Sequence, residues 1–292
     1  MSINRRRFVK AMAATMAVSS LNSLGAQPQA VTPFTFGICA TADKAPALKN
    51  AGFSFIEGQV AKMLCPEMSH ADYASELVLL KKCVLPIRAC NGFIPGKFKL
   101  TGPKTEHEAA LSYALTACQR ADELGMSYIV LGSGPARTVP EGFDHAQGLA
   151  QFLEFCKKLA DRIENCQVTI VLEPLYKKGS NIFNTVAEGI DYVDQINHPR
   201  IQLLADFFHM AYENEGPESI RKAGARIRHC HIAELDGQTP PGAKGQDFSG
   251  FFRALRDIDY KGGVSCECRW PNENLIEVWR KAVVTMQAQA GV

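Results

Sequence analysis

Four apolar runs in the second half of the chain each end on a residue type that ligates metals. The run 168–172 leads into Glu173, 201–205 into Asp206, 227–230 into His231 and 263–266 into Glu267. Two Glu, one Asp and one His form a hard, mostly oxygen donor set that suits a divalent cation. A carboxylate directly after five apolar residues is costly to bury unless a cation or a donor meets it. Taken singly, each residue has a plainer use. Glu173 can pair with Lys177 or Lys178, and Asp206 can cap a helix. His231 can be a hydrogen-bonded core histidine, and Glu267 can pair with Arg269 at a rim. The spacing argues against four separate accidents. The positions lie 33, 25 and 36 residues apart, near the roughly 30 residues of one βα unit in an eightfold barrel. Parallel strands that bring their last residues to one end describe the mouth of such a barrel, where its enzymes place their chemistry.

The rest of the chain supplies the elements this arrangement needs. Strand-like runs cover 34–40, 53–56, 85–90, 128–131, 168–172, 201–205, 227–232 and 263–266. Several are continuously apolar, as parallel strands buried on both faces must be. Helical patterns span 70–82, 106–124, 144–164, 248–258 and 275–289, and Asn184 is placed to cap a helix ending near Gln195. Eight alternating units predict an α/β fold, a (β/α)8 TIM barrel forming a single domain over residues 31–292. A doubly wound open sheet would need a glycine-rich phosphate loop after an early strand, and G-x-G-x-x-G is absent.

The first thirty residues read differently. Arg5, Arg6, Arg7 and Phe8, with Lys10 close behind, resemble a twin-arginine export signal. The apolar stretch from Ala11 to Leu24 is too short to span a bilayer, and small residues around Ser23 to Ala26 offer a cleavage site. The expectation is a signal peptide over 1–30 and an exported, periplasmic protein with no membrane segment once it is removed. Those residues carry four cations and no acid, so losing them turns a formal charge of +2 into −2. Such a chain has no electrostatic footprint for nucleic acid. The ten cysteines are not expected to form disulfides, because the twin-arginine route carries proteins folded before export. Cys39, Cys90, Cys230, Cys266 and Cys268 lie in strand-like runs. Those beside His231 and Glu267 should face the surrounding helices as small apolar groups.

Several motifs resemble the xylose-isomerase-like sugar isomerase/epimerase superfamily of TIM barrels. They are Leu172-Glu173-Pro174-Leu175, Asp206-x-x-His209, the run from His229 to Glu234, Pro241-Gly242 with Gly245 beyond it, and Ser265-x-Glu267. The resemblance covers nearly the whole chain after residue 30. It implies that Glu173, Asp206, His231 and Glu267 bind one divalent metal, expected among manganese, magnesium, cobalt and zinc. It also implies that Glu173 and Glu267 move protons and that His209 contacts substrate. The expected reaction is isomerisation or epimerisation of a small-molecule carbohydrate through an enediolate, with the metal polarising the carbonyl. Further substrate contacts are expected from Glu57 after the second strand, Asn91 after the third and Arg137 in the fourth loop. Two departures leave the substrate open. Gly179 stands where the epimerase branch usually has an acid, and Gly237 and Gln238 where it usually has an Arg. A metal-dependent lyase or hydratase acting on a keto-sugar or glycoside uses the same site, and a carbohydrate-binding protein without turnover is a third reading. A homo-oligomer is compatible with the sequence.

Overall fold

The computed structural model describes residues 34–292. The export signal expected over 1–30 lies outside the described residues. Eight strands run in chain order around a closed parallel barrel. They are β1 (Thr35–Cys39), β2 (Phe55–Gln59), β3 (Ile87–Asn91), β4 (Tyr128–Leu131), β5 (Thr169–Leu172), β6 (Ile201–Asp206), β7 (Ile227–Ile232) and β8 (Gly263–Cys266). The ring closes where β1 pairs with β8, Thr35 opposite Gly263 and Ile38 opposite Cys266. Helices between the strands form the outer layer, the longest being His145–Arg162 and His107–Glu123. No helix among the described residues is long and apolar enough to cross a membrane.

The helix Val186–Ile196 illustrates how the outer layer is specified. Thr185 and Glu188 form a reciprocal capping box, and Glu215 accepts the backbone N–H groups of Val186 and Ala187. A cap of this kind contributes about 1 kcal/mol. Val186, Val193 and Ile196 are buried on one face, and Asn197 ends the helix in the left-handed conformation. The cap is therefore Thr185 rather than Asn184. The Asn184 side chain instead donates to the carbonyls of Leu175 and Ser180, bracing the loop after β5.

Strand periodicity splits the core in two. One set of residues packs outward against the helices, including Ile38, Ile56, Cys90, Ile129, Leu172, Cys230 and Cys266. Cys266 meets Met286 of the last helix at 3.6 Å, so it faces outward as its alternation with Glu267 requires. The other set points into the barrel, where Val130, Val171 and Leu204 form a separate apolar plug. Phe55 fills the same interior, and a Cβ at Gly37 would overlap its ring. Every cysteine among the described residues is a free thiol.

β2 ends later than the sequence suggests, at Gln59 rather than Ile56. The register between β2 and β3 slips at Ile56/Glu57, and that between β6 and β7 slips at Leu203/Leu204. Irregularities of this type re-aim side chains next to functional sites. Here the first lies beside Glu57, and the second leaves Arg228 unpaired on β7, next to His229.

Candidate metal centre

The interior-facing residues at the C-terminal strand ends make one polar layer above the apolar plug. Each of Glu173, Asp206, His231 and Glu267 places a donor atom within 4.8 Å of the other three. His231 Nδ1 stands 3.1 Å from Glu173 Oε1, 3.2 Å from Glu267 Oε2 and 4.0 Å from Asp206 Oδ2. Donors bound to one ion at roughly 2.0–2.2 Å lie up to about 4.4 Å apart, so these atoms can converge on a single cation with small adjustments. Three carboxylates against one imidazole also leave excess negative charge in a buried place. Burial pushes the Glu173 carboxyl above its ordinary value. Burial alone would lower His231, but Glu57, Glu267 and Glu173 together hold its imidazole well above its usual range. Donor type, spacing and charge all fit a divalent cation.

Asp206 combines two uses that the sequence leaves as alternatives. Its Oδ1 caps the helix Phe207–Tyr212, accepting the N–H groups of Phe208 at 2.7 Å and His209 at 3.4 Å. Its Oδ2 is left for the cluster and stands 3.5 Å from His209 Nε2. The cap fixes the rotamer, so the second oxygen is aimed before any ligand arrives.

Glu57, expected as a substrate contact, lines the cavity beside the cluster, but its carboxylate is turned to two histidines. It sits within β2, fully buried, with both oxygens engaged. Oε1 is 2.9 Å from His231 Nε2, and Oε2 is 2.7 Å from His229 Nε2. Burial would raise this carboxyl, but the two imidazoles hold it well below the ordinary carboxylate range. A cation displacing the Nδ1 proton would leave the other proton on Nε2, held there by ionised Glu57, with Nδ1 facing the cluster. Metal-binding histidines are commonly oriented by such a carboxylate. His229 is itself wedged, its ring stacked on Tyr128 at 5.4 Å and its Nε2 3.4 Å from Ser265 Oγ.

The xylose isomerase-like TIM barrel profile matches residues 46–288. The chain belongs to that family. Among curated relatives, the D-psicose 3-epimerase of Enterocloster bolteae is 30% identical over 174 residues, covering 56% of this chain and 58% of the relative. The L-ribulose 3-epimerase of Methylomonas sp. is 33% identical over 144 residues, covering 49% of this chain and 48% of the relative. These matches span about half the length of the relatives. The apo crystal structure of 3-keto-D-glucoside 4-epimerase from E. coli superposes with a TM-score of 0.75. The overlap covers 87% of this chain and 99% of that one, and at 18% identity it demonstrates the shared fold.

Within this xylose isomerase-like barrel the remaining expected contacts divide. The Asn91 amide donates to Glu267 Oε1 at 2.8 Å and to Cys39 Sγ at 3.5 Å, so Asn91 stands at the mouth beside the cluster. His209 is there too, its ring stacked on Tyr176 at 5.0 Å. Arg137 is not. It ends the short helix Gly134–Arg137 and is fully buried, its guanidinium packed on Phe152 and Phe183. Nε donates to Ser180 and Nη2 to the Phe183 carbonyl. A loop position in the sequence concealed a side chain that turns inward to brace the loop after β5.

Sequence reasoning overlooked three members of this layer. Cys39 lies beside Asn91, Tyr176 backs His209, and Gly132 extends the interior parity of Tyr128 and Val130. Cys39 ends β1 and Gly132 follows β4 by one step, so strand alternation gives their direction, whereas Tyr176 lies four residues beyond β5, where alternation says nothing. A Cβ at Gly132 would overlap Glu173 Oε2, so the absence of a side chain there gives the carboxylate its place. Gly132→Ala should lower kcat/KM by about 100-fold at saturating metal, since ångström-scale misplacement has that effect. A value within twofold of the parent would remove Gly132 from the site.

Proposed function

We propose that this protein is a divalent-metal-dependent isomerase or epimerase of a sugar-like hydroxy-ketone or hydroxy-aldehyde. The observation that carries the reading is the convergence of Glu173, Asp206, His231 and Glu267 on one point at the barrel mouth. Similarity to ketose 3-epimerases supports it. A divalent cation held by these four residues would polarise a bound carbonyl and acidify the neighbouring C–H.

The chain's own groups do the proton work. Glu173 just beyond β5 and Glu267 just beyond β8 flank His231 Nδ1 at 3.1 and 3.2 Å. One removes a proton from carbon and the other returns one from the far side, which inverts that centre. If a single carboxylate does both, the carbonyl moves to the next carbon instead. Burial raises Glu173, which strengthens it as a proton acceptor once it is ionised. Asn91 holds Glu267 Oε1 and leaves Oε2 to the cluster. His209, fixed by Tyr176 and by the Asp206 cap, is the proposed donor to a substrate hydroxyl. Export by the segment around Arg5 and Arg6 is part of the same proposal and is tested by N-terminal sequencing of periplasmic protein.

The deciding experiment is solvent deuterium incorporation into a panel of ketoses. The metal-depleted protein should give none, and manganese, magnesium, cobalt or zinc should restore it. Incorporation that survives metal depletion would contradict the reading. Release of an aglycone from a keto-glycoside, without incorporation into ketoses, would assign the site to elimination instead.

A further inference from the structure

We propose that the substrate carries an anionic group, a carboxylate or a phosphate, at the end remote from the reacting carbon, and that Lys44 and Lys62 receive it. The inference rests on the isomerase reading above and deepens it. A cavity of about 310 Å³ opens directly beside the metal set, the lower end of the range for small-molecule sites. Glu267 and Asn91 line it on the metal side. Its exposed rim is formed by Thr41, Lys44, Gln59 and Lys62. Both lysines follow from the barrel's construction. Lys44 ends the single 3-10 turn after β1, and Lys62 lies on the short helix Val60–Met63 that starts directly after β2.

Several lysines among the described residues stand outside any ion pair, and Lys44 and Lys62 are the two of these that line the cavity beside the metal set. Lys97, Lys158, Lys177, Lys244 and Lys261 are each paired with an acid. Lys44 and Lys62 enter no ion pair among the described residues, although Lys62 also borders a second cleft containing Asp43 and Glu76. The acids of the cavity wall cannot serve them. Glu57 is committed to His229 and His231, and Glu267 belongs to the metal set. Two unpaired ammonium groups at the rim of a cavity whose inner end binds a cation suit a ligand with an oxyanion at its outer end. A neutral polyol leaves both charges unanswered. Lysine ammonium groups serve carboxylate and phosphate alike as point charges. Thr41 and Gln59 add neutral donors at the same rim.

The test is calorimetric binding to the manganese-loaded protein of three ligands: a neutral hexulose, its 6-phosphate and a hexulosonate. At least one anion should bind about tenfold more tightly than the neutral sugar, equivalent to about 1.4 kcal/mol. Which anion gains identifies the group. The advantage should disappear in the Lys44→Gln/Lys62→Gln double variant and shrink between about 0.02 and about 0.5 M salt, as screening of exposed charges requires. Equal affinity for all three ligands would overturn the inference, as would an advantage that survives the double substitution. Deuterium incorporation is read on the same samples. Anion preference without incorporation contradicts the isomerase reading alone. Incorporation into the neutral hexulose without anion preference contradicts this inference alone.

Discussion

Glu173→Gln should cut metal-dependent deuterium incorporation by about 10³-fold, within the roughly 10²–10⁴ that a positioned acid–base group contributes. Glutamine keeps the shape and one neutral oxygen donor but cannot accept a proton from carbon. The same change should leave the melting temperature of the metal-free protein equal to or above that of the parent. The reason is the cost of the native residue. Glu173 is buried, burial raises its carboxyl, and Glu267 adds a like charge nearby. Removing a group that function needs and stability does not commonly raises stability. Incorporation within tenfold of the parent, at saturating metal, would remove Glu173 from the chemistry.

Glu57→Ala should have the largest effect on the fold. It leaves His229 and His231, both essentially without solvent contact, lacking the carboxylate that both now share. Breaking a buried charged pair by deleting one partner costs about 3 kcal/mol or more. For a domain of this size that is a fall of roughly 6–12 °C in Tm. Metal affinity should fall by about 10–100-fold, the usual cost of losing a carboxylate that orients a metal-binding histidine. Glu57→Gln separates the two effects. It restores one acceptor and much of the stability, but not the charge that keeps the His231 proton on Nε2. Thermal melts and metal titrations of both variants check this. A Glu57→Ala protein that melts with the parent and binds manganese equally well would show that His231 needs no such support.

The barrel was legible because its strands are short apolar runs whose ends carry unlike residues. β4, β7 and β8 have the limits that the runs 128–131, 227–232 and 263–266 suggest. β2 was cut short because a charge after Phe55-Ile56 looks like the end of a buried strand. It is not an end, since two histidines from β7 cross the barrel interior to meet Glu57. That contact joins residues 172 and 174 positions apart, and no local pattern announces it. Arg137 was misplaced for the converse reason. A loop residue is ordinarily solvated, and here the Phe152 and Phe183 rings together with hydrogen bonds to Ser180 and the Phe183 carbonyl hold the guanidinium inside. Asn184 and Thr185 differ by one position, and the reciprocal bond from Glu188 decides between them. The four strand-end residues could be recognised together because one βα unit separates each from the next. Gly132 could not be, because its contribution is an absence of side chain beside Glu173 that has meaning only once the strands are adjacent.

The most direct test of the central claim is anomalous diffraction from crystals of the protein grown with manganese. One strong peak is predicted at the barrel mouth, bonded to carboxylate oxygens of Glu173, Asp206 and Glu267 and to His231 through Nδ1. A map with no peak among these four residues, or with manganese bonded to His231 through Nε2 in place of Glu57, would contradict the account.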